Sequence, residues 1–431
     1  MTTSWATLLP ALTLTTLACV DGARAPVGAV TGAFTDPVPC QPDEIDLHAM
    51  PPRPTFSTPP KATPPAMCAG GSCLWRASDD IFGAQVPRED SWYVVDGFVF
   101  YGDQRIILKG VNWFGLETTD NAPHGLWVGR DIGDFLDQMV ALGFNAIRLP
   151  VSPWSIYEGT PTSDWATEVT GATTGRELLD MVLAESGQRG IYIMLDHHTC
   201  DPPIYPRAGR PQDCSNPDIE AWHEDLRTLA ELALDHPHVF GIDLFNEPYA
   251  LAWGEWADLA SAAGREVLEV NPRVLVLVQG AHSRSSGGEY DLVFGENLMF
   301  ANTYPVDLPK SRLVFAPHAY GPELWPLNYV VSSQFPAILP HVWDLHFGHL
   351  LQHGYGLVLG EFGGYLDDSR VPRSVEWQTR FVQYLQDRGI ESWFYWSWNP
   401  NSGDTGGLLE DDWETPVQRK LDLLAPLIDA R

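Results

Sequence analysis

Short apolar segments alternate with longer amphipathic patterns along most of the chain from about residue 92 onward. The longer patterns, such as "DIGDFLDQMVALG", repeat apolar residues at helical spacing, whereas the short ones have the length of buried strands. Strands that alternate with helices form parallel sheets covered by their crossover helices. Eight short segments fit this description: residues 106–112, 144–150, 191–196, 240–246, 274–280, 313–318, 356–361 and 392–397.

Eight strand–helix units are the repeat number of one architecture. Over roughly 340 residues they match a (β/α)8 barrel, in which eight parallel strands close into a cylinder inside a ring of helices. We therefore predict an α/β fold of the TIM-barrel type for residues 92–431, preceded by an extended, proline-rich N-terminal segment.

Residues 1–91 lack this alternation. Residues 6–18 form an apolar stretch with the length of an export signal, too short for a membrane span, so we predict a signal peptide at 1–19. The segment "LTTLAC" also resembles a bacterial lipobox ending at Cys19, so a lipoprotein signal with a lipid anchor stays open. The mature protein is then secreted, or bound to the outer surface. Residues 20–91 are proline-rich and predict a linker or extended arm.

Composition and charge narrow the possible partners. Hydrophobic residues make up 44% of the chain and charged residues 19%, so the sequence can bury a large core. The formal charge of −30 argues against nucleic acid or an anionic membrane surface, because both select basic patches. Most of the 17 tryptophans are expected in the core, but some can serve as flat platforms for sugars. We expect a monomer without a membrane domain.

Six cysteines in an exported chain favour disulfide bonds. If Cys19 is lipidated or removed, five remain. By proximity in sequence, the first pairings to consider are then Cys200 with Cys214 and Cys68 with Cys73, with Cys40 left over. The Cys-x4-Cys spacing has no companion histidine or cysteine nearby, which makes it poor evidence for zinc. We therefore expect neither a metal nor a cofactor.

Polar and aromatic side chains follow the apolar segments. In a (β/α)8 barrel the carboxyl ends of the strands meet at one face and build the active site. Asn-Glu-Pro after the fourth segment reads as a strand that delivers a carboxylate to this face, where Pro248 ends the strand pairing. The residues at or just past the eight ends are Asn112, Trp113, Arg148, Asp196, His197, His198, Asn246, Glu247, Gln279, His318, Tyr320, Glu361 and Trp396.

Two glutamates in this set suggest the chemistry. Glu247 follows the fourth strand and Glu361 the seventh, so their carboxylates should face each other across the barrel mouth. Glycoside hydrolysis needs such a pair, and a separation near ~5 Å gives retention of configuration. Arg148 could lower the pKa of the nucleophile, or it could form a structural ion pair inside the barrel. Two ordinary loop carboxylates are the alternative.

The motifs also resemble a known family. "GVNWFGLET", "HGLW", "IRLP", "LDHHT", "FNEP", "HAYGP", "GEFGG" and "YWSWNPNSGDTGG" occur in the order found in glycoside hydrolase family five. The resemblance extends from about residue 92 to 425 and is closest to bacterial endo-β-1,4-glucanases. It implies a retaining hydrolase of β-glucan polysaccharides or oligosaccharides, and a cis peptide bond between Trp396 and Ser397.

The resemblance also implies individual roles. Glu247 is expected to be the general acid/base and Glu361 the nucleophile. The remaining residues bind substrate or support the nucleophile: Asn246 on the sugar 2-hydroxyl, Arg148 near the nucleophile, His198, His318 and Tyr320 lining the cleavage subsite, Trp396 as its floor and Trp113 as a neighbouring sugar platform.

Three other interpretations remain open at this point. His197 and His198 beside Asp196 could indicate a zinc hydrolase, but adjacent residues of a strand point to opposite faces. A sugar-binding protein without catalysis would keep the aromatic cleft. A β-mannanase, another β-glycanase or a transglycosylase would share the architecture, because the loops and not the glutamates select the sugar.

Overall fold

The computed structural model describes residues 90–200, 219–282, 294–324 and 327–430. The predicted signal segment and nearly all of the arm lie outside these residues. Cys200 is disulfide-bonded, but its predicted partner Cys214 and the proposed Cys68–Cys73 pair also lie outside them. In the described ranges, no helix combines the length and apolar composition needed to cross a membrane.

A small antiparallel sheet opens the described chain. It consists of β1 (Trp92–Val95), β2 (Phe98–Tyr101) and β3 (Gln104–Arg105). Its first turn has positive φ angles at Asp96 and Gly97, as a tight hairpin requires. Trp92 and Val94 bond to residues that directly precede three barrel strands, at Pro237, Arg273 and Ser311. The sheet therefore closes the amino-terminal end of the barrel.

Eight strand positions follow and close into the predicted (β/α)8 barrel, which confirms the fold. The first five are β4 (Lys109–Asn112), β5 (Ala146–Val151), β6 (Tyr192–His197), β7 (Val239–Asp243) and β8 (Leu275–Val278). The sixth position is split into β9 (Leu313–Phe315) and β10 (His318–Tyr320), the seventh into β11 (Gly356–Leu357) and β12 (Leu359–Gly363), and the eighth is β13 (Trp393–Tyr395).

All neighbouring strands of the barrel pair in parallel. β9 pairs with β8 and β11, β10 pairs with β12, and β13 pairs with β4 to complete the cylinder. The break between β9 and β10 contains Pro317, which has no N–H to donate to a ladder. Each predicted apolar segment contains a strand, although most strands are shorter than their segments.

Helices cover the outside of the barrel. α1 shows why the sequence folds this way: Asp131 and Asp134 form a reciprocal cap at its start, and Phe135, Leu136 and Met139 turn one apolar face to the strands. The helices are α1 (Ile132–Ala141), α2 (Pro153–Ile156), α3 (Asp164–Thr170), α4 (Gly175–Gln188), α5 (Ile219–Leu234), α6 (Trp253–Val270), α7 (Asn328–Val331), α8 (Leu339–His346), α9 (Ser374–Arg388) and α10 (Gln418–Ile428), with 3-10 turns at Leu126–Val128 and Gly348–His353.

Large apolar side chains fill the lower half of the cylinder, which is the half nearer its amino-terminal end. Phe394 and Phe240 stack there, with ring centroids 6.1 Å apart. Phe394 lies against Gly110 on the neighbouring strand, where a Cβ would come within 2.1 Å of the ring. Glycine at this position therefore makes room for the ring in the closed core.

We predict that Gly110→Ala destabilises the protein by about 1–3 kcal/mol, because the added methyl group overlaps a ring that has no free space. Urea-induced unfolding followed by tryptophan fluorescence measures the change. Gly403→Ala is the matched control, since a Cβ there meets no atom within 4 Å. Equal unfolding midpoints for the two variants would contradict the assigned packing.

Candidate active site

The two glutamates approach the barrel mouth from different backbone settings. Glu361 is part of β12, where it pairs with His318 of β10, so its backbone belongs to the sheet. Glu247 lies four residues beyond the end of β7. Its φ is +49°, a left-handed conformation that costs a residue with a Cβ roughly 1–2 kcal/mol. The acid-bearing loop therefore needs contacts that hold it.

His318 connects the two carboxylates. Its Nδ1 lies 3.0 Å from Oε1 of Glu247 and 3.4 Å from Oε2 of Glu361. The ligand atoms of these three side chains all lie within 4.8 Å of one another. Burial lowers the pKa of His318 well below its usual value, and Arg148 lowers it further, so the ring is neutral and Nδ1–H donates to Glu247.

Arg148 is buried at the centre of the site. Its Nη1 donates to Oε1 of Glu361 at 2.5 Å, and Nη2 donates to Oδ1 of Asn246 at 2.9 Å. Nε and Nη2 each lie 3.2 Å from Oδ2 of Asp243, and Nη2 lies 3.0 Å from Oδ2 of Asp196. Burial opposes the positive charge, but the surrounding carboxylates outweigh it and raise the pKa of Arg148. Arg148 therefore forms buried ion pairs with Asp196 and Asp243 and also contacts the carboxylate of Glu361.

The two glutamates differ in their electrostatic surroundings. Burial raises the pKa of Glu247 well above its usual value, and the charge of Glu361 raises it further. Burial also raises the pKa of Glu361, but there Arg148 and the Tyr320 hydroxyl, which donates to Oε2 at 2.5 Å, oppose the shift. Glu247 is therefore the side chain that more readily holds a proton, and Glu361 the one that more readily ionises.

His198 orients Asn246. Its Nδ1–H donates to Oδ2 of Asp196 at 2.5 Å, which leaves Nε2 as an acceptor for the Asn246 amide at 3.3 Å. Burial lowers the pKa of His198 to about 4, so this tautomer stays neutral. His197 points to the other face, where Nε2 lies 2.9 Å from Asp225. Only one of the adjacent histidines reaches the site, which argues against a zinc centre built on both.

Trp396 lies at the edge of the site, partly exposed. Its ring is parallel to those of Phe114 and His198, at centroid distances of 5.4 and 6.0 Å, and Nε1 donates to Ser402. The peptide bond between Trp396 and Ser397 is cis, as the family resemblance implies. The indole therefore lies beside His198, which contacts Asn246.

Trp113 does not fit its expected role as a sugar platform. Its side chain is fully buried, and Nε1 donates to the carbonyl of His124. The cause is strand alternation: Asn112 points into the barrel toward Arg148, so the next side chain points outward and packs on Phe135 of α1. A better exposed indole belongs to Trp127 of the "HGLW" motif, which is 39% exposed.

One group within the described ranges has the spacing of metal ligands, and it is the trio of Glu247, His318 and Glu361. The donors on these carboxylates are already Arg148, Tyr320 and the His318 ring. A cation would have to displace these hydrogen bonds and bind beside a guanidinium. The arrangement is therefore better suited to acid–base chemistry on a substrate than to holding a metal.

Sequence reasoning missed two supporting residues. Asp243 accepts from Arg148, and Gln279 donates to the same Asp243 oxygen at 2.7 Å. A signal for Asp243 was present, because a charged residue inside the apolar segment "FGIDLFN" must find a buried partner. Gln279 was noted as a strand end, but nothing in the sequence shows which group it contacts.

Comparison with known proteins places this site in a family. Residues 106–402 match the cellulase family, glycosyl hydrolase family 5. The chain is 40% identical over 344 residues to the major extracellular endoglucanase of Xanthomonas campestris pv. campestris, a match that covers 74% of this chain and 67% of that protein. It is 36% identical over 338 residues to an endoglucanase of Paenibacillus polymyxa, covering 74% and 82%.

Solved structures agree with these matches. The catalytic domain of the Xanthomonas endoglucanase aligns with a TM-score of 0.72 at 37% identity, covering 80% of this chain and 99% of that domain. A variant endocellulase from Pyrococcus horikoshii in complex with cellotetraose aligns with a TM-score of 0.71 at 32% identity, covering 79% and 98%. The chain therefore belongs to the cellulase family, glycosyl hydrolase family 5.

Proposed function

We propose that this glycoside hydrolase cleaves internal β-1,4-glucosidic bonds of cellulose or related β-glucans by double displacement. The observation that carries the proposal is the pair formed by Glu247 and Glu361, whose closest ligand atoms lie within 4.8 Å and share His318. Retaining enzymes hold their carboxyl groups ~5 Å apart, whereas inverting enzymes leave room for a water at ~6.5–9.5 Å.

In the first step Glu361 attacks the anomeric carbon while the glycosidic C–O bond breaks. Glu247 delivers its proton to the departing oxygen, so that a neutral hydroxyl leaves and a covalent glycosyl-enzyme ester remains. Arg148 and Tyr320 each donate to one oxygen of Glu361, which holds the nucleophile at a fixed angle toward the sugar. Both donors also favour its ionised form.

In the second step Glu247 acts as the base. The charge of Glu361 is one cause of the raised pKa of Glu247, and that charge disappears when the ester forms. The pKa of Glu247 therefore falls after the first step, and its carboxylate can take a proton from the water that attacks the same carbon. A second inversion at this carbon restores the original configuration.

The surrounding residues suit a β-glucan. Asn246, held by Arg148 and His198, is positioned to bind the 2-hydroxyl, and Trp396 offers an indole face as the floor of the cleavage subsite. The relatives named endoglucanases and the cellotetraose complex of the Pyrococcus enzyme support this substrate class. Trp127 adds an exposed indole for a further sugar unit.

We infer an exported protein in three parts: a signal peptide or lipoprotein signal at 1–19, a proline-rich arm at 20–91 and the catalytic domain at 92–431. The relative from Xanthomonas campestris, named as extracellular, supports export. A lipid anchor at Cys19 would hold the mature enzyme at the outer surface. Labelling with a radioactive fatty acid distinguishes the two signals.

The substrate is tested on carboxymethyl-cellulose, barley β-glucan, xylan, mannan and laminarin. We expect the highest activity on the β-1,4-glucans, with viscosity falling faster than reducing ends appear, because internal bonds are cut. A preference for mannan would reassign the enzyme as a β-mannanase. Binding of cello-oligosaccharides without release of reducing ends would indicate a sugar-binding protein.

The assignment of acid and nucleophile is tested by substitution. We expect Glu247→Gln to lower activity on β-glucan about 10²- to 10⁴-fold, the usual contribution of a general acid. Glu361→Gln should remove nearly all activity, since no ester can form. Glu323→Gln is the control, because this partly buried carboxylate contacts Ser374 and Gln378 behind the barrel wall. Activity in the Glu361→Gln variant would reassign the nucleophile.

Azide distinguishes the two roles by stereochemistry. The dinitrophenolate group of 2,4-dinitrophenyl β-cellobioside departs without a proton. With this substrate Glu247→Ala should still form the ester, and azide should then release the sugar as β-cellobiosyl azide. Glu361→Ala should give the α-azide, because azide then displaces the leaving group directly. Proton nuclear magnetic resonance identifies the anomers. The opposite pattern would exchange the two assignments.

The pH profile should be bell-shaped. Activity falls at high pH as Glu247 loses its proton, and it falls at low pH as Glu361 gains one. The Tyr320 hydroxyl opposes the burial that raises the pKa of Glu361. Tyr320→Phe should therefore move the acidic limb of kcat/KM to higher pH, because the ionised form of Glu361 loses a hydrogen-bond donor. An acidic limb that stays in place or moves downward would show that this hydrogen bond does not favour the ionised form.

A further inference from the structure

Gln279 lies just beyond β8 and contacts both halves of the catalytic network with one fully buried amide. Its Oε1 accepts a hydrogen bond from the backbone N–H of Glu247 at 2.8 Å. Its Nε2 donates to Oδ2 of Asp243 at 2.7 Å. Reversing the amide would place its NH2 group against the Glu247 N–H and its oxygen against the Asp243 oxygen. Its orientation is therefore fixed.

The bond to Glu247 meets a backbone that local preferences do not support. Glu247 is a non-glycine residue at a φ of +49°. Such a conformation persists only where the surroundings hold it. The side chain of Gln279 supplies such a contact at the residue itself.

The second bond links this contact to the nucleophile. The Asp243 oxygen that accepts from Gln279 also accepts from Nε and Nη2 of Arg148 at 3.2 Å. Nη1 of the same guanidinium donates to Glu361 at 2.5 Å. A continuous series of hydrogen bonds therefore extends from the backbone of one glutamate to the carboxylate of the other.

Gln279 is itself held in place from the strand side. Its carbonyl accepts from Nε1 of Trp256 at 2.9 Å, and the side chain is fully buried. Gly295 lies directly beside it, where an added Cβ would come within 3.0 Å of Oε1. With its backbone anchored and little free volume around the amide, the side chain can act as a rigid support.

We propose that Gln279 is a positioning residue that fixes the reach of Glu247 toward the glycosidic oxygen. Gln279 does not touch the reacting atoms and acts through the backbone of the acid. The inference rests on the proposed function of Glu247 as proton donor. It predicts that loss of Gln279 impairs proton delivery more than nucleophilic attack.

The test compares two leaving groups on the full-length enzyme. The phenolate of phenyl β-cellobioside needs a proton from the acid in order to leave, whereas the dinitrophenolate of 2,4-dinitrophenyl β-cellobioside leaves without one. For Gln279→Met we expect kcat/KM to fall about 10- to 100-fold on the phenyl substrate, part of the full contribution of an acid, and less than about 3-fold on the dinitrophenyl substrate. The ratio of the two values does not depend on how much of the variant is folded.

Two further variants sharpen the result. Gln279→Glu keeps the acceptor for the Glu247 N–H, and we expect its substrate ratio to stay closer to that of the wild type than the ratio of Gln279→Met. Gln378→Met removes another buried amide, which contacts Glu323 and Tyr395 outside the catalytic network, and should leave the ratio unchanged. It controls for a general loss of packing.

Equal losses on both substrates for Gln279→Met would overturn the proposal and leave Gln279 a purely structural residue. A substrate ratio for Gln279→Glu as low as that of Gln279→Met would overturn the assignment to the Glu247 N–H bond. Failure of the proposed role of Glu247 has a different signature, because Glu247→Gln would then lose as much activity on 2,4-dinitrophenyl β-cellobioside as on phenyl β-cellobioside.

Discussion

The buried guanidinium of Arg148 is the interaction on which the rest of the site depends. One cation lies among Asp196, Asp243 and Glu361, with the amide of Asn246 as a fourth partner. Burial raises the pKa of Asp196 to about 6 and that of Asp243 to about 7, because it disfavours the charged form of each carboxyl group. A buried charge without partners is strongly unfavourable, which ties the structure of the barrel mouth to its chemistry. The same contacts that make the cluster stable also orient the carboxylate of Glu361.

The barrel provides what a charge cluster of this kind requires. Parallel strands bring their carboxyl ends to one face, and the lower half of the cylinder is filled with rings such as Phe394 and Phe240. Water is thereby excluded from below, which strengthens electrostatic interactions above. The small sheet β1–β3 completes the enclosure at the amino-terminal end. Packing at one end of the barrel thus supports acid–base chemistry at the other.

The sequence was sufficient to predict the architecture and the residues at the ends of its strands. Apolar segments predicted all eight strand positions, and their ends pointed to Glu247 and Glu361. The prediction of Trp113 as a sugar platform was wrong, because a position at a strand end does not decide on which face a side chain lies. Asn112 lies on the inner face and Trp113 on the outer one. Asp243 could not be placed by alternation, because the register of β6 and β7 shifts near Phe240, and both Phe240 and Asp243 point inward. Contacts between distant strands, such as that of Gln279 with Glu247, have no counterpart in local pattern.

The anchoring of Glu361 within β12 has a consequence for how the reaction proceeds. Its backbone is paired with His318 in the sheet, and both of its carboxylate oxygens have a donor. A carboxylate held by its strand and by two donors has little freedom to move toward a substrate. In the proposed mechanism most of the motion therefore falls to the sugar ring, whose C1 atom moves from the departing oxygen toward the Glu361 carboxylate and later moves back. Catalysis in such a site depends on a mobile sugar ring and on rigidly held protein groups.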